Sequence, residues 1–194
     1  MTRLFLDCEW ADNIGSELVS LALVSEDGQR RFYSEVSPLP KQPSDFVRTI
    51  VYPLLDHGFH ARQKIDFTRD LRAFLIRFDA PVVLFDHVAD GVLLDHALTG
   101  FDLPANVVSK LGTVPSVTAT LIQNESVRDW IEHYFREHPD QERRRHHASV
   151  DAEALRWVFL TALSRALTAF RLLRHAQLRH TVVKEKHWAN HVLH

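Results

Sequence analysis

Asp7 and Glu9 stand two residues apart inside an otherwise apolar run, Leu4-Phe5-Leu6-Asp7-Cys8-Glu9-Trp10. Side chains alternate along an extended strand, so these two carboxylates share a face. Side by side they repel each other and resist desolvation unless a cation lies between them, and carboxylate oxygens suit Mg²⁺ or Mn²⁺. An edge strand that turns Glu9 to solvent accounts for the pair equally well, so it gains meaning only from partners elsewhere in the chain. One partner is His146-His147-Ala148-Ser149-Val150-Asp151, where a histidine stands five residues before an aspartate at the head of a long apolar-periodic segment. An aspartate in the first turn of a helix also caps it and offsets its dipole. A histidine just upstream could reach bound metals as a base. A third stretch, Phe85-Asp86-His87-Val88-Ala89-Asp90-Gly91-Val92-Leu93-Leu94, offers two aspartates. Asp86 leaves an apolar run directly, and Asp90 falls where the next helix should open. Asp90 is the favoured metal ligand of the two, with Asp86 as the alternative or as a group orienting a water or base.

The elements that must position these groups follow from patterning. Arg3 to Glu9, Leu18 to Val24 and Arg30 to Val36 read as three strands, with Glu26-Asp27-Gly28 as the turn between the last two, which predicts an antiparallel meander. Pro38, Pro40 and Pro43 mark a loop. Ser44 can then cap a helix whose apolar face is Phe46, Val47, Ile50, Val51, Leu54 and Leu55. A second helix is expected from about Asp66, carrying Leu71, Phe74, Leu75 and Phe78. Pro81 to Phe85 is a continuous apolar run, the pattern of a strand covered on both faces. Asp90 is expected to open a helix with Val92, Leu93, Leu94 and Ala97, ended by Gly100. A weaker strand is expected around Ser116 to Ile122. Asn124 could cap a helix with Val127, Trp130, Ile131, Tyr134 and Phe135 as its inner stripe, stopped by His138-Pro139. The last helix should begin near His147 or Asp151 and carry Leu155, Val158, Phe159, Ala162, Leu163, Ala166, Phe170 and Leu173. The order implies an α/β fold: a mixed sheet of three antiparallel strands and then a parallel one, flanked by helices.

The 194 residues suit a single domain, expected over 1–175, with a helical tail or arm over 176–194. The stretch from Arg174 onward holds His175, His180, His187, His191 and His194 without the compact spacing of a metal site. It reads as a surface helix or as an arm through which the chain could form a homodimer. A net charge of −2 gives no global attraction for a polyanion, so nucleic-acid contacts would need bound cations or local patches such as Arg143-Arg144-Arg145, whose alternative reading is a solvated loop. The lone Cys8 reads as a packed thiol in a reducing compartment. Without a signal-peptide pattern or an apolar run of membrane length, the expected location is cytoplasmic, away from membranes.

Asp7, Glu9, His146 and Asp151 match the DEDD superfamily of 3′-to-5′ exonucleases in type, order and spacing. The chain resembles the histidine-containing branch (DEDDh), as in oligoribonucleases and proofreading domains, from about residue 3 to residue 160. That family has Asp-x-Glu on its first strand, an Asp at the start of a middle helix and His-x₄-Asp by its last helix. Glu17 to Val24 also looks like the family's second strand. The resemblance implies a ribonuclease H-like fold and two divalent ions, Mg²⁺ or Mn²⁺. Asp7, Glu9 and Asp151 would hold one, and Asp7 would bridge to a second that Asp90 supports. His146 would be the general base that deprotonates the attacking water, and His147 only a neighbour. The implied substrate is the 3′ end of single-stranded RNA or DNA, with nucleoside 5′-monophosphates released. Similarity in size to small bacterial exoribonucleases favours RNA. Trp10 could stack on the terminal base or simply belong to the core. The competing readings are a catalytically silent binding module and a metal-dependent phosphoesterase of small substrates.

Overall fold

A computed structural model describes residues 2–123 and 125–164. Its centre is a six-stranded mixed sheet in the order β4-β3-β2-β1-β5-β6. The meander forms as expected: β1 (Arg3–Trp10), β2 (Leu18–Ser25) and β3 (Arg31–Val36) pair antiparallel. β4 (Ala61–Arg62) is a two-residue addition beside β3 that no sequence pattern announced. On the other side of β1, β5 (Val82–Phe85) and β6 (Thr118–Leu121) run parallel to it. β2, between β1 and β3, is buried along its whole length, whereas edge strand β6 is mostly exposed.

Strand alternation sorts the layers. Leu4, Leu6 and Cys8 of β1 join Leu21 and Leu23 of β2 beneath α1 (Lys64–Leu75) and α2 (Val88–Thr99), where Phe67, Leu71, Leu75, Leu93 and Leu94 complete the largest core cluster. Each such fully buried side chain contributes about 1.5–3 kcal/mol. The opposite face carries Ala22 and Val24 against Ala148 and Ala152. These alanines belong to a helix, α6, that opens at 148 and is helical to the last described residue, 164. Between α2 and α6 lie the short α3 (Ala105–Val108), then α4 (Glu125–Glu137) and the one-turn α5 (Pro139–Glu142). His138-Pro139 separates α4 from α5 as expected, and Tyr134 and Phe135 of α4 pack on Val150 and Ala154 of α6.

Several expectations change. Ser44 caps its segment by accepting the Val47 amide at 3.3 Å, but the chain continues as a π-helical turn over Val47–Val51 and a 3₁₀ turn over Tyr52–Leu54. Pro53, which has no N–H to donate, ends regular helix there. The wider turn aligns Val47, Val51 and Leu55 in the core and leaves Phe46 and Ile50 exposed. α2 opens at Val88, two residues before the expected start, because the His87 ring caps it by accepting the Ala89 amide at 3.2 Å. Asp90 is the reciprocal partner in this capping box and accepts the His87 amide at 3.3 Å. Val92 is exposed while Leu93, Leu94 and Ala97 are buried. Arg72, unmarked by periodicity, is buried and donates to the Leu98 carbonyl at the end of α2 at 2.9 Å and to the Gly112 carbonyl, beyond α3, at 2.7 Å.

Contacts group residues 1–158 as one unit and 159–194 as another, and the sequence-predicted site residues all belong to the first. The expected boundary near 175, the His-rich tail, Ala166, Phe170, Leu173 and the Asn124 cap lie outside the described residues. No helix among the described residues is long and apolar enough to cross a membrane. Gly100 ends α2 at φ +103°, and a β-carbon there would meet Val108 Cγ2 at 2.7 Å. Gly100→Ala is therefore expected to lower the unfolding free energy by about 1–2 kcal/mol in urea denaturation, and an unchanged midpoint would contradict this role for Gly100 at the α2 terminus.

Candidate metal centre

β1 outruns β5: Phe5 pairs with Leu84, so Asp7 and Glu9 extend past the carboxyl end of the neighbouring parallel strand. The chain turns away there, from Phe85 into α2, and leaves a cleft of about 450 Å³ at the carboxyl ends of the strands. Ligand crevices of open α/β sheets form at this kind of position. Asp7 lies opposite Ala22 and Glu9 opposite Ser20, on the face that α6 covers through Ala22 and Val24. The shared face read from alternation is thus the face that carries Asp151.

Five carboxyl groups converge. Ligand atoms of Asp7, Asp86 and Asp90 lie within 4.8 Å of one another, and those of Glu9, His146 and Asp151 form a second such group. The favoured Asp90 and the alternative Asp86 are both present, in different environments. Asp90 is fully buried, with Oδ1 accepting the Cys8 amide at 3.2 Å and Oδ2 accepting the His87 amide. Asp86 is half-buried and also lines a smaller hollow of about 220 Å³ with Gln123, Arg128 and Arg145.

Burial and mutual repulsion push these carboxyls upward. Asp7 rises well above the usual carboxylate range, first through desolvation and then through Asp151, Asp90, Glu9 and Asp86. Glu9 and Asp90 rise for the same primary reason, with Asp151 and Asp86 the leading charges on them respectively. Burial also raises Asp86 and carries Asp151 up to about 7. Asp7 Oδ2 and Asp151 Oδ1 are buried without a hydrogen-bond partner. The nearby arginines are engaged elsewhere, Arg144 on Asp56 at 2.7 Å, Arg145 on Glu132 and Arg156 on Glu153. Buried acceptor oxygens without donors, within a cluster of five carboxyls, suit a hard divalent cation, so the residues present fit such an ion.

His146 sits in the loop before α6. Its N–H donates to Asp151 Oδ2 at 3.1 Å, and its ring meets the edge of Phe46 at 5.0 Å. Burial and then Arg145 lower its pKa, so the imidazole is neutral near pH 7. All four metal-ligand candidates and the candidate base therefore line one cleft. Sequence reasoning missed Phe46, placed there in the core, and His87, which stacks on Trp10 with ring centroids 4.9 Å apart. The His87-x-Ala89 spacing at a helix start was the one signal available. Trp10 is half-buried, packed against the core and lining the cleft. All three arginines of the run pair with carboxylates, Arg143 with Asp140 at 4.0 Å, Arg144 with Asp56 and Arg145 with Glu132, and Arg143 is the most exposed of them. Cys8 is buried, as expected, and its thiol is pushed up by burial.

The raised carboxyls fix the sign of a pH effect. A group such as Asp151, ordinarily near 3.8 and here about 7, stabilises the fold fully below its unfolded pKa. That stability is lost as pH rises through the folded value. In EDTA the melting temperature is expected to fall between about pH 4 and pH 8. Mn²⁺ is expected to restore it at the upper end. Asp7→Asn should raise the metal-free value at that end and abolish the Mn²⁺ response, while a melting temperature indifferent to Mn²⁺ in the unmodified chain would count against a metal centre. Comparison with protein-family models gives no match, and comparison with curated proteins gives no significant match.

Proposed function

We propose that this chain is a metal-dependent 3′-to-5′ exonuclease on a ribonuclease H-like sheet, acting on single-stranded nucleic acid, RNA in preference to DNA. The observation that carries the reading is the pair of adjoining donor groups, Glu9–His146–Asp151 and Asp7–Asp86–Asp90, which together hold the residues expected from the resemblance. The order β3-β2-β1-β5-β6, antiparallel and then parallel, supports the fold part of the reading. The cleft volume falls within the roughly 300–1,000 Å³ of small-ligand sites, which suits one terminal nucleotide rather than a duplex. Trp10 and Phe46 offer aromatic faces to bases.

In this reading Glu9, Asp151, Asp7, Asp86 and Asp90 are the residues that would hold the ions. Divalent ions would supply the positive charge that the acidic chain lacks, lowering the pKa of water at the site and stabilising the leaving 3′ oxygen. His146 accepts the proton of the attacking water, a role open to it because its lowered pKa keeps it neutral. Asp90, anchored by two amides, also ties α2 to β1.

End-labelled single-stranded RNA and DNA incubated with Mn²⁺, Mg²⁺ or EDTA test the proposal. A stepwise 3′ ladder that needs the metal is expected, and the absence of a ladder with either metal overturns it. His146→Ala should lose about 10²–10⁴-fold in rate without loss of fold. The rate should rise with pH, with its midpoint below the ordinary histidine value of 6.5. Asp86→Ala is expected to abolish turnover with little change in melting temperature. Asp90→Ala should lower both, because the buried Cys8 amide loses its acceptor at about 1–3 kcal/mol and the part-buried His87 amide loses its acceptor as well.

A further inference from the structure

His146 adopts φ +71°, a conformation disfavoured for a residue with a β-carbon. Such strain persists where neighbours over-determine it. On one side Arg145 reaches α4, where its guanidinium bonds both oxygens of Glu132 and lies 4.9 Å from the Phe135 ring. On the other side His147, only 2 % exposed, turns towards β3. Its ring stacks on Tyr33, with centroids 4.5 Å apart and planes 30° apart. Its Nδ1 accepts the Ser149 amide at 3.3 Å, so Nε2 carries the proton, and that buried nitrogen lies 3.3 Å from Asp56 Oδ2 without completing a hydrogen bond.

The surroundings of His147 form a connected circuit, which Arg144 joins by donating to Asp56 Oδ1 at 2.7 Å. The Asp56 amide donates to Glu35 Oε1 at 2.7 Å, and the buried Glu35 also accepts the Tyr33 hydroxyl at 2.7 Å. Tyr33 returns to His147 by stacking. Capping α6 requires only the Nδ1 acceptor, and it leaves the stack, the Nε2 contact and the circuit without a purpose.

We propose that His147 is a positioning residue: clamped by Tyr33, Glu35 and Asp56, it holds the strained backbone of His146 so that the imidazole faces the cleft. The functional half of this inference rests on His146 being the base, whereas the clamp itself does not.

Two variants separate positioning from capping. His147→Asn keeps a side-chain oxygen to cap α6 but loses the stack and the reach to Asp56. Asp56→Ala leaves the cap untouched. At saturating Mn²⁺ each is expected to lower kcat about 10–100-fold with KM little changed, and the double variant to be no worse than either single one. A readout independent of activity is the His146 ring resonance, assigned by its loss in His146→Gln and displaced by the ring current of Phe46. In both variants it should move towards the position of a free imidazole. A wild-type kcat in Asp56→Ala, or an unmoved His146 resonance in either variant, overturns the proposal. If the unmodified chain degrades no nucleic acid, the base reading fails, and the resonance still decides the clamp.

Discussion

Repulsion among Asp7, Glu9, Asp86, Asp90 and Asp151 is the constraint around which the rest of the molecule is arranged. Carboxylates at these separations, away from bulk water, cannot all be ionised unless a cation is present, and burial raises every one of them. A cluster of this kind destabilises the fold that carries it. The opposite face of the sheet offsets the cost, because Leu4, Leu6, Leu21, Leu23, Leu71, Leu75, Leu93 and Leu94 are packed there with almost no exposure. Apolar burial and concentrated charge are divided between the two faces of β1 by strand alternation.

Backbone amides supply part of the charge compensation. Asp90 accepts from Cys8 and His87, and Asp151 accepts from His146. These bonds fix two carboxylates in place while leaving Asp7 Oδ2 and Asp151 Oδ1 without partners. The fold itself therefore sets the positions of these two carboxylates.

The two histidines that cap helices at this end of the sheet do the same local job. His87 accepts the amide two residues on at the start of α2, and His147 does so at the start of α6. Their rings then serve different ends. His87 extends the aromatic wall of the cleft by stacking on Trp10, and His147 is locked into the Tyr33–Glu35–Asp56 circuit beside the strained His146.

Local chemistry was legible in the sequence wherever a single element carried it. The period of two placed Asp7 and Glu9 on one face, the meander and the apolar run of β5 followed from patterning, and His-x₄-Asp marked the approach to α6. The segment after Ser44 was misread because a π turn replaces the helical period and exposes Phe46. The start of α2 was misread because a histidine cap has no strong sequence signature. Other features depend on where separate elements come to rest. Asp86 and Asp90 both reach Asp7 because β1 outruns β5, a matter of register between strands nearly eighty residues apart. His147 gained partners from β3 and from the loop around Asp56, which nothing in its own neighbourhood announced. Periodicity and capping are written in adjacent residues, whereas strand register and the meeting of distant loops are settled only when the whole sheet closes over its core.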